Sequence, residues 1–115
     1  MMLIGYASKK LQKICTKEKD AKKALPEDAA ARLFDRIQDL AAFNNLGEIP
    51  HRAPPLDFHP LTGDRAGDFA IKIHGLDRVC FRPAGDFERD ENGNALLASV
   101  TAVEINFVGN YHSYG

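Results

Sequence analysis

The spacing of apolar residues changes period part-way along this chain, and that change constrains the fold more than any single motif. Up to about residue 47 the apolar side chains recur every three or four positions, the signature of helices. Ala30, Leu33, Phe34, Ile37, Leu40 and Ala41 mark one face of the strongest helix, with Arg32, Asp35, Arg36, Gln38 and Asp39 on the other. Pro26, Glu27 and Asp28 suit its first turn, where Pro loses no hydrogen bond and the dipole favours acids. Asn44, Asn45 and Gly47 supply its stop. Ser8 offers an N-cap for an earlier helix running through about Leu25, with Leu11, Ile14 and Cys15 at core-facing spacing. Pro50, His51, Pro54 and Pro55 then fit an extended loop, and beyond it the period becomes two.

In that second half Leu56 and Phe58 alternate with Asp57 and His59. Phe69, Ile71 and Ile73 alternate with Lys72 and His74. His74-Gly75-Leu76-Asp77 reads as a turn or bulge, after which Val79 and Phe81 oppose Arg78, Cys80 and Arg82. Asn92-Gly93 signals a turn inside a long polar stretch. The last run sets Val103, Ile105 and Phe107 against Glu104, Asn106, Val108, Asn110 and His112. A short apolar run at residues 3 to 7 fits an edge strand. Short connections between the later strands demand antiparallel pairing. The order predicts an α+β fold: an N-terminal helix pair packed on one face of a mostly antiparallel sheet. With 115 residues the chain has room for one core, so residues 1–115 are expected to form a single domain.

The helix pair must cover the face carrying Phe58, Ile71, Ile73, Val79, Phe81, Ile105 and Phe107. Alternation leaves the opposite face open and polar, with His59, Lys72, His74, Arg78, Arg82, Asn106, Asn110 and His112. Several cations and imidazoles on one open surface suit an extended anionic ligand such as RNA. Histidine titrates near neutral pH and serves as acid or base, and arginine stabilises developing phosphate charge. The histidines show no ligand spacing for a metal, and neither a nucleophile elbow nor a Gly-rich phosphate loop is present. No metal or other cofactor is therefore expected.

Net charge is −1 but unevenly spread. Residues 1 to 25 hold seven lysines against Glu18 and Asp20, whereas the remainder has eight basic and fourteen acidic residues. Such a split fits either a polyanion or acidic partner on the basic side, or a merely solvated helix face. Lys9, Lys10 and Lys13 oppose the dipole of the helix they begin, a choice stability alone does not favour. Cys15 and Cys80 are too far apart in sequence to form a metal motif and read as buried, reduced thiols. The apolar start, MMLIGYA, is too short for a signal core or membrane span, so a soluble cytoplasmic protein without membrane contact is expected.

Three segments resemble, in order, those of HigB-type toxins of the RelE/ParE superfamily, from type II toxin-antitoxin systems. HPLTGDRAGDFAIKI (59 to 73) is similar to the family's His-Pro-Leu-Lys-Gly-Asp segment. DRVCF (77 to 81) is similar to its Trp-Arg-Ile-x-Phe strand, and VEINFVGNYH (103 to 112) to its closing Asp-Tyr-His. The resemblance implies a ribosome-dependent mRNA endonuclease that uses the substrate's own 2′-hydroxyl and needs no metal. It also implies a cognate antitoxin, a helix-turn-helix protein, as partner besides the ribosome and mRNA. On this resemblance His59 and His112 would share acid and base work, Tyr111 would position the substrate, and Arg78 would stabilise phosphate charge. Lys72, Arg82 and Asn110 would bind substrate, and the lysine-rich helix would lie against ribosomal RNA.

The chain departs from the family pattern at Thr62, where Lys is usual, at Asn110, where Asp is usual, and at Asp77, where Trp is usual. The polar stretch from Asp86 to Asn94 is longer than the family's usual hairpin. Two alternatives on the same fold remain open: a ParE-like inhibitor of DNA gyrase, and a catalytically weakened binding protein.

Overall fold

A computed structural model describes residues 1–110. It holds three helices and a five-stranded sheet. The helices are α1 (Lys9–Thr16), α2 (Glu18–Ala24) and α3 (Glu27–Ala42). The strands are β1 (Leu3–Tyr6), β2 (His59–Pro60), β3 (Phe69–His74), β4 (Asp77–Pro83) and β5 (Ala102–Gly109). Their spatial order is β1-β5-β4-β3-β2. Only β1 and β5 run parallel; β5-β4, β4-β3 and β3-β2 are antiparallel. The first strand thus lies beside the last, and the helical layer fills the long crossover that a parallel pair requires.

The predicted architecture holds in its main lines, with the first helix divided in two. Ser8 caps α1 as expected, its Oγ accepting from the Leu11 amide at 3.1 Å. Lys17 then breaks the helix by adopting an extended backbone, φ −125° and ψ 122°. Its amide donates back to the Lys13 carbonyl at 2.8 Å, and its carbonyl accepts from Ala21 at 3.0 Å, so one residue ends α1 and starts α2. Glu18 and Asp20 then lie in a first turn, where the dipole favours them. The break lets two short helices wrap one sheet, burying Ile14, Cys15 and Ala21.

Between the helices and the sheet, Leu33, Leu40, Ile71, Val79, Phe81, Val103 and Ile105 are fully buried. Phe58, Phe69 and Phe81 stack from three adjacent segments, with centroids 5.4 Å apart for the first pair and 6.2 Å for Phe58 and Phe81. Truncating a ring in such a site costs about 3–5 kcal/mol.

Three expectations need correction. Leu56 and Phe58 are buried as predicted, but the backbone before His59 is not a strand, because Asp57 takes a left-handed conformation at φ 48°. Phe107 does not belong to the covered face. A bulge in β5 pairs Phe81 with Ile105 but Cys80 with Phe107, so Asn106 is the extra residue and alternation inverts after it. Val108, opposite Val79, packs on the core instead. Finally, the sheet face turned away from the helices is closed at its centre: Ala70 and Cys80 are wholly buried, and His59 is 6% exposed.

Candidate functional site

The face away from the helices is built by rows of directly opposed residues. One row runs His59 (β2), Ala70 (β3), Cys80 (β4) and Phe107 (β5). The next holds Lys72, Arg78 and Gly109. Phe107, placed here by the bulge, is capped by Arg65, whose guanidinium carbon stands 4.7 Å from the ring centroid. Arg65 reaches over from the short 3-10 turn Gly63–Arg65 that joins β2 to β3. Asn106 Nδ2 donates to Asp68 Oδ2 at 3.0 Å, and that carboxylate lies 3.9 Å from Arg65. This lid explains the burial beneath it. The Cys80 thiol is pushed up to about 11 by that burial, with Asp68 adding to the shift and Arg65 and Arg78 opposing it.

His59 is held in a defined orientation. Its Nδ1 lies 2.6 Å from the Asp57 carbonyl oxygen, with the Asp57 carboxylate at 3.9 Å. A carbonyl only accepts, so the neutral ring carries its proton on Nδ1, and Nε2 holds the lone pair. That makes Nε2 the basic nitrogen, or the acidic one once the ring is charged.

The two arginines of β4 are engaged within the protein. Arg78 Nη1 donates to the carbonyls of Gly75 at 2.7 Å and Asp77 at 3.1 Å, so it braces the β3–β4 turn through backbone and not through the Asp77 carboxylate. Its Nε is buried without a partner among the described residues. Arg82 Nε donates to Glu104 Oε1 at 3.1 Å across β4 and β5, and this bond raises the arginine pKa. Lys72 is exposed. His59 and Arg78 are not on neighbouring strands, since β3 separates them. Two strand spacings and two residues along the strand put their Cα atoms roughly 12 Å apart.

Asn110 follows β5 and is half-buried. Tyr111 and His112 lie outside the described residues. Thr62 begins the 3-10 turn that carries Arg65, so the departure from Lys falls in the segment supplying the lid's arginine. The basic N-terminal segment borders the same face. Lys10, Lys13 and Lys23 line an open groove of about 710 Å³ together with Asn106, Phe107 and Val108. Among the described residues no three His, Cys, Asp or Glu side chains come together to hold a metal. None of the described helices is long and apolar enough to cross a membrane.

The fold is similar to that of a toxin. A structure of a YoeB/ParE toxin from Agrobacterium tumefaciens superposes with a TM-score of 0.54, covering 96% of this chain and 99% of that one at 17% sequence identity. The likeness is one of fold: the chain shares the architecture of that toxin over nearly its whole length. No protein-family model matches the sequence, and no curated protein does either.

Sequence reasoning missed Arg65, Asp68 and Phe107 as members of this surface. Arg65 and Asp68 sit outside any periodic run, and plain alternation puts Phe107 on the wrong face. Val108, apolar at a position where the alternation calls for a polar residue, is a local sign of the bulge.

Proposed function

We propose that this protein is the toxin of a type II toxin-antitoxin system, and that it cleaves mRNA in the manner of HigB-type toxins. The observation that best supports this is the orientation of His59, whose Nδ1 is held 2.6 Å from the Asp57 carbonyl oxygen on the sheet face away from the helices, in a fold similar to that of a toxin.

In this reading the RNA lies across the sheet face with its scissile phosphate between His59 and the β4 arginines. The ribose 2′-hydroxyl attacks the adjacent phosphorus while its proton passes to one imidazole. The bond from phosphorus to the 5′-oxygen breaks, and that oxygen takes a proton from the other imidazole, leaving a 2′,3′-cyclic phosphate. His59 and His112 share these two roles, and a positioned acid or base contributes roughly 100- to 10,000-fold. Tyr111 positions the substrate. Arg78, Lys72, Arg82 and Asn110 hold phosphate and ribose, and the lysines of α1 and α2 face ribosomal RNA. No metal or cofactor takes part in this reading. A cognate antitoxin, a small helix-turn-helix protein, neutralises the toxin, and both act in the cytoplasm.

A second reading has its own support. Arg78 is committed to two backbone carbonyls and Arg82 to Glu104. Cations satisfied internally fit a protein that retains toxin surfaces but has weakened catalysis. Inducible expression in bacteria of the native chain and of its His59→Ala and His112→Ala forms separates the possibilities. Growth arrest with mRNA cut inside reading frames, relieved by either substitution, supports the nuclease. Arrest with intact mRNA and damaged DNA points to ParE-like action on gyrase. Folded protein that neither arrests growth nor cuts mRNA supports the weakened binder.

A further inference from the structure

The polar stretch between β4 and β5 is not a loose connection. Its ends are pinned by the Ala84 amide on the Ala102 carbonyl at 2.9 Å and by the Leu96 amide on the Glu88 carbonyl at 2.8 Å. Arg89 and Ala95 form an antiparallel bridge. Asp90 Oδ1 accepts from the amides of both Asn92 and Asn94 at 2.9 Å, closing the turn where Gly93 takes φ 83°. Ser99 Oγ accepts from the Glu88 amide at 2.8 Å and ties the base of the hairpin down. The segment is a built hairpin standing beside the end of the sheet where β2 and β3 meet β4.

Between the hairpin and that sheet end lies an open pocket of about 660 Å³, lined by Pro60, Leu61, Arg82, Phe87, Arg89 and Asn94 among others. Pro60 follows His59 in β2, so the pocket borders the strand that carries the imidazole. Arg89 is its unusual member. The residue is exposed, yet its guanidinium is fixed on two sides: its carbon stands 4.8 Å from the Phe87 ring centroid, and Nη1 donates to the Gly93 carbonyl at 2.9 Å. Phe87 in turn packs against the core. Holding a long exposed side chain in one pose costs rotamer entropy that burial does not return. A flat guanidinium laid on an aromatic ring with its outer face to solvent is a stacking platform for a planar ligand. Asn94 supplies the donor and acceptor a base edge requires, and Arg82 at the pocket wall suits the attached phosphate.

We propose that this pocket binds one unpaired nucleobase of the RNA strand, stacked on Arg89 and adjacent to the scissile phosphate. It is thus a base-selecting subsite supplied by the hairpin. The inference rests on the RNA-cleaving reading above. An acidic peptide is disfavoured because Arg89, set against the Phe87 ring, presents a planar face more than an open charge.

The test uses the full chain and fluorescein-labelled single-stranded RNA hexamers, read by anisotropy at low salt. Each hexamer is made intact and with one base removed at each position in turn, leaving the phosphates unchanged. Removing the stacked base is expected to weaken binding about 5- to 150-fold at one position only. In Arg89→Ala and Arg89→Lys proteins that penalty disappears, although lysine keeps the charge. If base removal costs the same in native and Arg89-substituted proteins, Arg89 merely latches the hairpin and the subsite is overturned. Hexamers that fail to bind the native chain also overturn it. A clear base penalty abolished by Arg89→Lys, in a protein that leaves mRNA uncut in cells, keeps the subsite and rejects the nuclease. Cleavage in cells without any base penalty does the reverse.

Discussion

His59 Nδ1 and the Asp57 carbonyl oxygen are 2.6 Å apart, and that one contact decides which imidazole nitrogen is basic. It depends on backbone shape, because Asp57 makes the turn in the left-handed region. Aspartate, asparagine and glycine tolerate that conformation, whereas a β-branched residue pays about 1–2 kcal/mol. On the proposed nuclease reading, Asp57→Asn and Asp57→Gly are therefore expected to keep mRNA cleavage near the native rate, and Asp57→Val to lower both cleavage and stability. On the same reading His59→Ala is expected to lose about 100- to 10,000-fold of cleavage. Urea unfolding run in parallel separates this chemical loss from the cost of emptying a buried site. Equal cleavage by the Val and Asn proteins would show that the carbonyl contact does not matter.

Arg82 and Glu104 oppose one another across β4 and β5, with both side chains substantially exposed. Such pairs contribute only about 0–1 kcal/mol to stability. Their greater effect is on charge, since the carboxylate cancels a cation on the face proposed to meet RNA. Glu104→Gln is expected to leave the urea midpoint almost unchanged and to tighten binding of single-stranded RNA. The logarithm of affinity against that of salt should steepen by roughly 0.7, as one more phosphate contact releases its counterion. Unchanged affinity and slope would place the bound strand away from Arg82.

Most of the fold was legible because most helices and strands keep one period along their length. Leu33, Ile37 and Leu40 face the core at helical spacing, and Ile71, Val79 and Ile105 do so at strand spacing. What escaped was local. Lys17 breaks a helical run with no Gly or Pro to mark it, and only the acids that follow betray a new N-terminus. A bulge adds one residue without changing composition, so Phe107 reads like its neighbours until Cys80 is found opposite it. The candidate site was legible as residue types and not as geometry. His59 and Arg78 were correctly put on one face, but their separation by β3, the capture of Arg78 by turn carbonyls and the lid of Arg65 over Phe107 are long-range facts. No short window of sequence contains them.

The inverted face of Phe107 makes it energetically unlike Phe81. Phe81 is wholly buried in a three-ring stack, so Phe81→Ala is expected to cost about 3–5 kcal/mol in urea unfolding. Phe107 lies half-exposed under Arg65, outside the core. Phe107→Ala should cost less, yet it uncovers the opposed Cys80. The rate of thiol modification by a disulfide reagent in the folded protein should rise in Phe107→Ala while Cys15 stays slow. Equal stability losses for the two alanine proteins would contradict the bulge.

Burial raises both thiols, Cys15 to about 12 and Cys80 to about 11, and this ties stability to alkaline pH. In the unfolded chain a thiol loses its proton near pH 8.5. The folded protein retains the neutral form to much higher pH, so below about pH 8.5 the stabilisation is fully present. As pH rises above that value the unfolded state sheds protons that the folded state still holds, and stability falls with each step towards the folded values. The urea midpoint should therefore be level through pH 8 and decline between about pH 8.5 and 9.5. Tyr6, whose hydroxyl pKa is raised by burial and by Cys15, adds a similar slope only above about pH 10, outside that interval. A Cys15→Ala, Cys80→Ala protein should have a lower midpoint at neutral pH from lost packing, but a flat profile from pH 8 to 9.5. A decline as steep as in the native chain would exclude the thiols as its source.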